Sequence, residues 1–256
     1  MKRAERGAED AAEGSLISHL IELRGRLIKA VLGVLLIFIA LAPFADLLFR
    51  LLADPLMRQL PEGAGMIATQ VASPFLTPFK LTLVLAVFVA MPVVLYQVWA
   101  FIAPGLYSQE RRFAIPLLAS SVVLFYLGIT FAYFVVFPLM FGFFTATAPE
   151  GVTVMTDISS YLDFVLTLCF AFGLAFEVPV ATVLIVWAGL VTPATLAKNR
   201  AYVFLGAFVV GMVLTPPDII SQTLLALPVY MLYEVGIVMS RIAVPGHREV
   251  EQQKDA

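Results

Sequence analysis

Residues 113–144, FAIPLLASSVVLFYLGITFAYFVVFPLMFGFF, form a run of 32 residues without a charged side chain. A helix needs about 20 apolar residues to cross the roughly 30 Å hydrocarbon layer of a bilayer. Similar runs recur along the 256-residue chain, which is 61% apolar and 13% charged, with a mean hydropathy of +0.96. Because soluble domains carry about 25% charged residues, the chain is predicted to be an integral membrane protein.

The uncharged runs predict six transmembrane helices and an all-α, polytopic fold. Their bounds are about 25–44, 76–101, 113–144, 161–188, 200–214 and 219–240. The fifth and sixth spans are expected to be short, since Ala201 to Leu214 supplies only about 21 Å of helix at 1.5 Å per residue. This pair either re-enters the membrane or crosses a locally thinned bilayer. Crossing is favoured, because it places Arg200 and Arg241 on the same side.

Lysine and arginine predict the orientation. Of the 16 such residues, 13 lie in the N-terminal segment, the loops near 102–112 and 189–200, and the C-terminal tail. The positive-inside rule therefore predicts that both termini are cytoplasmic. We expect a membrane domain at 15–244, between disordered cytoplasmic tails at 1–14 and 245–256. Arg111 and Arg112 are sufficiently explained as anchors that hold their loop in the cytoplasm.

Two local signals predict structure on the opposite side of the membrane. Asp54-Pro55 is expected to begin a second short helix, with proline at its first position. Ser160 and Asp163 fit a capping box that opens the fourth span.

Near the end of the sixth span, Glu234 is expected to reach toward the cytoplasmic surface or to pair with Arg241.

Two acids are candidates for binding a cationic ligand on the cytoplasmic side. Glu22 lies away from the leucine stripe of the amphipathic segment SHLIELRGRLIKAV, and its alternative role is an i,i+4 pair with Arg26. Glu110 lies in APGLYSQERR, residues 103–112, where it could simply be a solvated acid that neutralises an adjacent arginine. Pairing with Arg111 is geometrically poor, because adjacent side chains point apart.

Glu177 differs from both because it lies deep in an apolar run. Thirteen uncharged residues precede it and 20 follow it. A charge at that depth costs about 2.5–3.5 kcal/mol even on the mild insertion scale. We therefore expect Glu177 to face a groove or a partner rather than lipid, with hydrogen bonding to a neighbouring helix as the alternative. Pro179 is expected to bend the helix there.

Several classes of function are disfavoured. A net charge of −2 gives no sign of nucleic-acid binding, and the single cysteine, Cys169, excludes a disulfide framework and fits a small buried apolar residue. His19 and His247 lie near opposite ends of the chain, and no metalloprotease, P-loop or serine-hydrolase motif is present. We expect neither an enzyme nor a cofactor or metal site. An intramembrane hydrolase is disfavoured because neither histidine lies within a span.

Six segments together carry a resemblance to a known family. They are SHLIELRGRL, ASPFLTPFK, LYQVWAFIAPGLYSQERR, FAYFVVFPL, FGLAFEVPV and GAFVVGMVLTPPDIISQ. In unbroken order over about residues 15–244, they resemble the TatC family, the receptor subunit of the twin-arginine translocase. The resemblance implies six helices that form a curved, concave wall in the bacterial inner membrane.

The resemblance also implies roles for individual residues and partners. Glu22 and Glu110 match the acids that bind the signal peptide's arginine pair, and Arg24, Phe101 and Pro55 match other positions tied to function. Glu177 matches the intramembrane residue facing the concave surface. The positions implied to dock partner helices are Thr215, Asp218, Gln222 and Met212. The implied partners are the single-span subunits TatA and TatB, signal peptides of folded precursors and further copies of the chain, with export driven by the proton-motive force.

Two readings stay open beside the resemblance. Asp218 could instead cap the last helix. Glu177 and Asp218 could serve as proton-relay carboxylates in a proton-coupled secondary transporter, which is the main alternative function. That reading is weakened by the lack of an internal repeat and by the small number of polar groups at mid-depth.

Overall fold

The computed structural model describes residues 2–57, 66–102, 111–147, 155–215 and 219–243. Within these ranges the chain is helical, and it forms no strand longer than an isolated bridge. The helices are α1 (Lys2–Leu41), α2 (Ala45–Met57), α3 (Ser73–Ile102), α4 (Arg111–Phe131), α5 (Phe137–Ala146), α6 (Ile158–Ala175), α7 (Val178–Trp187), α8 (Pro193–Lys198), α9 (Arg200–Leu214) and α10 (Ile219–Ala243).

The helices confirm the predicted polytopic, all-α class. Among the described residues, five stretches are long and apolar enough to cross a membrane: Leu20–Leu52, Ser73–Ile102, Ile115–Phe144, Ile158–Trp187 and Ile219–Ile242. The remaining apolar helix, α9, has 15 residues and a length of about 22 Å, as expected for a short fifth span. The sixth span is longer than predicted, since α10 has 25 residues and a length of about 37 Å.

Two of the spans are interrupted at proline or by an irregular turn. Between α6 and α7 the helix breaks at Phe176 and Glu177, because Pro179 has no N–H to donate to the carbonyl of Ala175. The bend predicted at Pro179 is therefore confirmed. A π-helical segment, Ala132–Val136, joins α4 to α5 within the third span.

Near the N-terminus the structure departs from the sequence-based expectations. The prediction that Asp54-Pro55 begins a new helix is wrong, since α2 runs unbroken from Ala45 to Met57. The interruption falls earlier, at the 3-10 turn Ala42–Phe44, where Pro43 lies in the first turn. Pro55 is the third residue from the end of α2, so the hydrogen bond that it cannot donate and the clash of its ring affect only the end of the helix. Helix α1 begins at Lys2, and the disorder expected for the tails stays a prediction.

Helix α6 lies at the centre of the wall. It packs against α3 and α4, whereas α1 packs on α3 at one edge and α9 packs on α10 at the other. Phe125 of α4 and Phe172 of α6 are fully buried, and Cys169 is a buried core residue, as predicted. The ring of Phe172 contacts that of Phe131 edge-on, with centroids 5.5 Å apart. Aromatic packing between α4 and α6 therefore holds the middle of the wall together.

Glycines allow the closest helix contacts. A Cβ atom at Gly128 of α4 would lie 2.9 Å from the carbonyl carbon of Phe172. At Gly236 of α10, a Cβ atom would lie 3.0 Å from the Cα atom of Pro179 in α7. Small residues let helix backbones approach closely, which is how helices associate inside a bilayer.

The start of α6 is capped differently from the prediction. Asp157, not Ser160, is the N-cap, and its Oδ1 accepts hydrogen bonds from the backbone N–H groups of Ser159 (3.1 Å) and Ser160 (2.9 Å). The expected partner, Asp163, instead pairs with Lys80 of α3. A capping box needs its acid at the third helical position, which Ser160 occupies once Asp157 is the N-cap, so Asp163 lies too far along the helix.

Asp157 also fixes the chain that leads into α3. The Oδ2 atom of Asp157 accepts hydrogen bonds from the backbone N–H of Thr69 (3.0 Å) and from the Thr69 hydroxyl (2.8 Å). Beside it, the N–H of Ile67 donates to the carbonyl of Thr156 at 3.0 Å. The first turns of α3 and α6 therefore lie side by side at one end of the molecule.

Candidate functional site

Glu22 lies on α1 and is half-buried. Its Oε1 accepts hydrogen bonds from Nε (3.0 Å) and Nη2 (2.5 Å) of Arg26, one turn further along the helix. The i,i+4 pair considered as the alternative role is therefore present. Both side chains keep part of their surface exposed, at 38% for Glu22 and 23% for Arg26. Such a pair contributes only about 0.3–0.5 kcal/mol, so a better cationic ligand could displace Arg26.

The other residues of the predicted cytoplasmic site are described only in part. Arg24 is exposed on α1, and Phe101 is half-buried at the end of α3, close to the buried Trp99. Glu110 lies outside the described residues. Its placement relative to Glu22 thus stays a prediction.

Glu177 lies at the break between α6 and α7. Its Oε2 accepts a hydrogen bond from Oγ of Ser121 in α4, with a donor–acceptor distance of 2.5 Å. Its Oε1 is buried and has no hydrogen-bond partner among the described residues. The hydrogen bond to a neighbouring helix, which was the alternative role, is therefore present, and the second oxygen is buried without a partner among the described residues.

An apolar groove of about 960 Å³ lies between α3, α6, α7, α9 and α10. Its walls include Val84, Phe170, Leu174, Val210 and Leu225, and its only charged residues among those described are Lys80 and Asp163. Ala175 and Val178 also line it, but Glu177 between them is directed at Ser121. Among the described residues, the groove therefore carries its charges on α3 and α6.

The residues predicted to dock partner helices lie where α9 meets α10. Thr215 is buried, and its Oγ1 donates to the carbonyl of Gly211 at 2.9 Å. Gly211 approaches the backbone of Gln222, which is half-buried, while Met212 is 54% exposed on the outer face of α9. Asp218 lies outside the described residues, so neither its docking role nor its alternative capping role is tested.

A second polar cluster joins the opposite ends of α9 and α10. Glu234 pairs with Arg200, whose Nε lies 2.7 Å from Oε1, and it accepts a hydrogen bond from the Tyr230 hydroxyl at 2.9 Å. The predicted partner, Arg241, does not make this pair. Arg200 opens α9 directly opposite Glu234, whereas Arg241 is seven residues further along the same helix and so lies two turns away.

Three of these contacts were missed by sequence reasoning. All three join residues that are far apart in the chain: the ion pairs Lys80–Asp163 and Arg200–Glu234, and the hydrogen bond between Asp157 and Thr69. The isolation of Lys80 and Asp163 within apolar runs was the available signal, because a charge at such a position needs a partner. Among the described residues, no three His, Cys, Asp or Glu side chains come together in a group that could hold a metal ion.

Known proteins resemble this chain along most of its length. The family model described as Sec-independent protein translocase protein (TatC) matches residues 18–228. The Azotobacter chroococcum protein TatC is 62% identical over 241 residues, which cover 94% of this chain and 93% of that relative. Escherichia coli K12 TatC is 58% identical over 237 residues, or 93% of this chain and 92% of the relative. A crystal structure described as twin arginine translocase receptor TatC superimposes with a TM-score of 0.79 at 39% identity, covering 88% of this chain and 99% of that one.

The fold and the site thus define a multi-pass helical membrane protein of the protein-translocase class, with an apolar groove inside the bilayer. The family model covers well over half of the chain, and the relatives match nearly all of it. The chain belongs to the TatC family.

Proposed function

We propose that this chain is the receptor subunit of a twin-arginine translocase in the bacterial inner membrane. In this role it binds the paired-arginine signal peptide of folded precursor proteins and nucleates the assembly that exports them. The observation that carries the proposal is the match to the TatC family model over residues 18–228. Both termini, Glu22 and Glu110 then face the cytoplasm, where the precursor arrives.

Recognition of the arginine pair rests on Glu22 and Glu110. Arg26 holds Glu22 through a weak, partly exposed pair within one helix. A signal-peptide guanidinium offers the same fork of donors, and each charged hydrogen bond, once partly desolvated, contributes about 1.5–3 kcal/mol. Binding is therefore favoured when a signal-peptide arginine replaces Arg26 as the partner of Glu22. A lysine in the signal peptide is disfavoured, because it lacks the planar fork of donors. Arg24 and Phe101 border this surface.

The apolar part of the signal then lies along the concave side of the wall. For Glu177 to accept a hydrogen bond from the incoming segment there, its buried carboxyl group has to turn away from Ser121. Single-span partners such as TatA and TatB dock where α9 meets α10, at Thr215, Asp218, Gln222 and the exposed Met212. Pro55, near the end of α2, has a structural role. The short α9 leaves the membrane thin at this position, which eases passage of cargo driven by the proton-motive force.

Complementation tests the proposal. A strain lacking its own TatC subunit receives this chain and is scored for periplasmic delivery of a folded reporter with a twin-arginine signal. Delivery is expected with paired arginines and is expected to fall strongly with paired lysines. Equal delivery of both signals contradicts the recognition argument. Substrate-dependent proton movement by the purified chain alone supports the transporter instead.

A further inference from the structure

The groove between α3 and α9 ends in an ion pair that the proposed receptor function does not use. Lys80 of α3 and Asp163 of α6 are in direct contact. Both side chains nevertheless keep about half of their surface accessible, at 53% and 46%. An ammonium group has three donors and a carboxylate accepts at two oxygens. Neither group is saturated by the other, so the pair can bind one further anion and one further cation.

The pair lies at the level where a lipid head group meets its acyl chains. Lys80 is seven residues into α3 and Asp163 is five residues into α6, so both lie about 8–10 Å from helix starts that are tied together by Asp157 and Thr69. From Asp163 the groove wall continues to Val178, about 22 Å further along α6 and α7. One leaflet of the hydrocarbon layer is about 15 Å deep. The apolar walls can therefore take the full length of an acyl chain.

We propose that this groove is a binding site for a zwitterionic phospholipid of the phosphatidylethanolamine type. The lipid phosphate binds Lys80, its ammonium binds Asp163, and its acyl chains lie against Val84, Leu166 and Phe170. The four charges then alternate in sign, so the head group adds to the ion pair without breaking it. Basic pockets between transmembrane helices bind anionic lipid head groups, and the Asp163 carboxylate beside Lys80 adds a site for a cationic group.

Charge complementarity favours a zwitterionic lipid over the other candidate occupants. A cationic leader peptide gains nothing from Lys80, and an uncharged apolar helix leaves both charges without a partner. An anionic lipid satisfies Lys80, but its negative charge is repelled by Asp163. The groove volume of about 960 Å³ is at the upper end of the range of ligand sites, about 300–1,000 Å³.

Native mass spectrometry of the full chain tests this site. The protein is stripped of lipid in detergent and titrated with phosphatidylethanolamine or with phosphatidylglycerol. We expect phosphatidylethanolamine to bind about tenfold more tightly, as one additional charge-assisted hydrogen bond provides. Lys80→Gln is expected to weaken both lipids, whereas Asp163→Asn weakens phosphatidylethanolamine only. Arg50→Gln, which removes an exposed cation outside the groove, is the matched control and should change neither.

A second variant covers the case in which the charge variants fail to fold. Gly206 lines the groove, and a Cβ atom there meets no atom within 4 Å, so Gly206→Leu fills the groove while the ion pair stays intact. It is expected to lose the bound lipid, whereas Gly142→Leu, also in open space but outside the groove, retains it. Three results would each overturn the proposal. Both lipids could bind equally, the Asp163→Asn variant could keep its lipid preference, or an apolar single-span peptide could occupy the groove and exclude lipid. None of these outcomes tests whether Glu22 and Glu110 bind the arginine pair, so failure of the lipid site and failure of arginine recognition are distinguishable.

Discussion

The first span and the fourth span are both strongly apolar, but they are used differently. In an apolar stretch of 18 residues within Leu20–Leu52, 6% of the residues are buried, against 44% in the corresponding stretch of Ile158–Trp187. Leu27 and Leu36 of α1 are 61% and 71% exposed, whereas Leu162 and Phe172 of α6 are fully buried. Apolar content therefore decides that both stretches enter the membrane, and the packing of small and aromatic residues decides which of them forms the core.

This difference assigns different tasks to the two regions. The core helices α4 and α6 are locked by Gly128, Phe125 and Phe172 and hold the wall in shape. The exposed helix α1 carries Glu22 and Arg24, whose surroundings remain open to a ligand. A receptor that binds a peptide needs both the packed core and the exposed helix, because a rigid frame fixes the binding groups in place.

The largest effect is expected from adding a methyl group to the core. Gly128→Ala places a Cβ atom against the backbone of Phe172, which cannot rotate away. Overpacking of this kind costs about 1–3 kcal/mol and occasionally more. The melting temperature of the purified protein in detergent, followed by size-exclusion chromatography after heating, should fall clearly.

Gly25→Ala is the matched change in α1. A Cβ atom at Gly25 meets no atom within 4 Å, and alanine is the better helix former by about 1 kcal/mol. Its melting temperature should stay the same or rise. Equal losses at Gly25 and Gly128 would remove the distinction between the two regions.

An intermediate effect is expected at the edge of the wall, where Arg200 ties α9 to α10. Glu234→Gln should destabilise the protein by up to about 1 kcal/mol, because the pair is partly exposed. A double-mutant cycle with Arg200→Gln should show a coupling energy, whereas the cycle with Arg241→Gln should show little. Coupling to Arg241 instead would restore the partner expected from the sequence.

The smallest effect is expected from acid at the start of α6. Hydrogen bonds from the backbone N–H groups of Ser160 and Thr69 hold the pKa of the Asp157 carboxyl well below its usual range. Since the folded-state pKa is depressed, this stabilisation is fully present above the unfolded-state pKa of about 3.9. It is lost as the pH falls through the folded-state value.

Comparison with Asp157→Asn isolates this contribution. As the pH falls from about 4 toward the folded-state pKa, the melting temperature of the wild-type chain should fall more than that of the variant, whose side chain does not titrate. Parallel curves would mean that the contacts of Asp157 with Thr69 and Ser160 do not depend on its charge.

The sequence predicted features that depend on composition and missed features that depend on distant pairing. Uncharged runs located the six spans, and Pro179 located the break beside Glu177, since both follow from local chemistry. Three contacts could not be predicted from local patterns, because each joins elements that meet only after folding. They are Lys80–Asp163, Arg200–Glu234 and Thr69–Asp157. The expected pairing of Glu234 with Arg241 and the expected helix start at Pro55 were wrong for the same reason, as both relied on near neighbours.

The central claim is that Glu22 and Glu110 bind the arginine pair of a signal peptide. Site-specific crosslinking of a twin-arginine peptide to the wild-type chain and to Glu22→Gln and Glu110→Gln variants tests it most directly. Each variant is expected to lose about tenfold in crosslinking yield at limiting peptide, as removal of one charged hydrogen bond implies. A twin-lysine peptide should crosslink to the wild-type chain as poorly as the twin-arginine peptide does to the variants. Undiminished crosslinking in both variants would contradict the account.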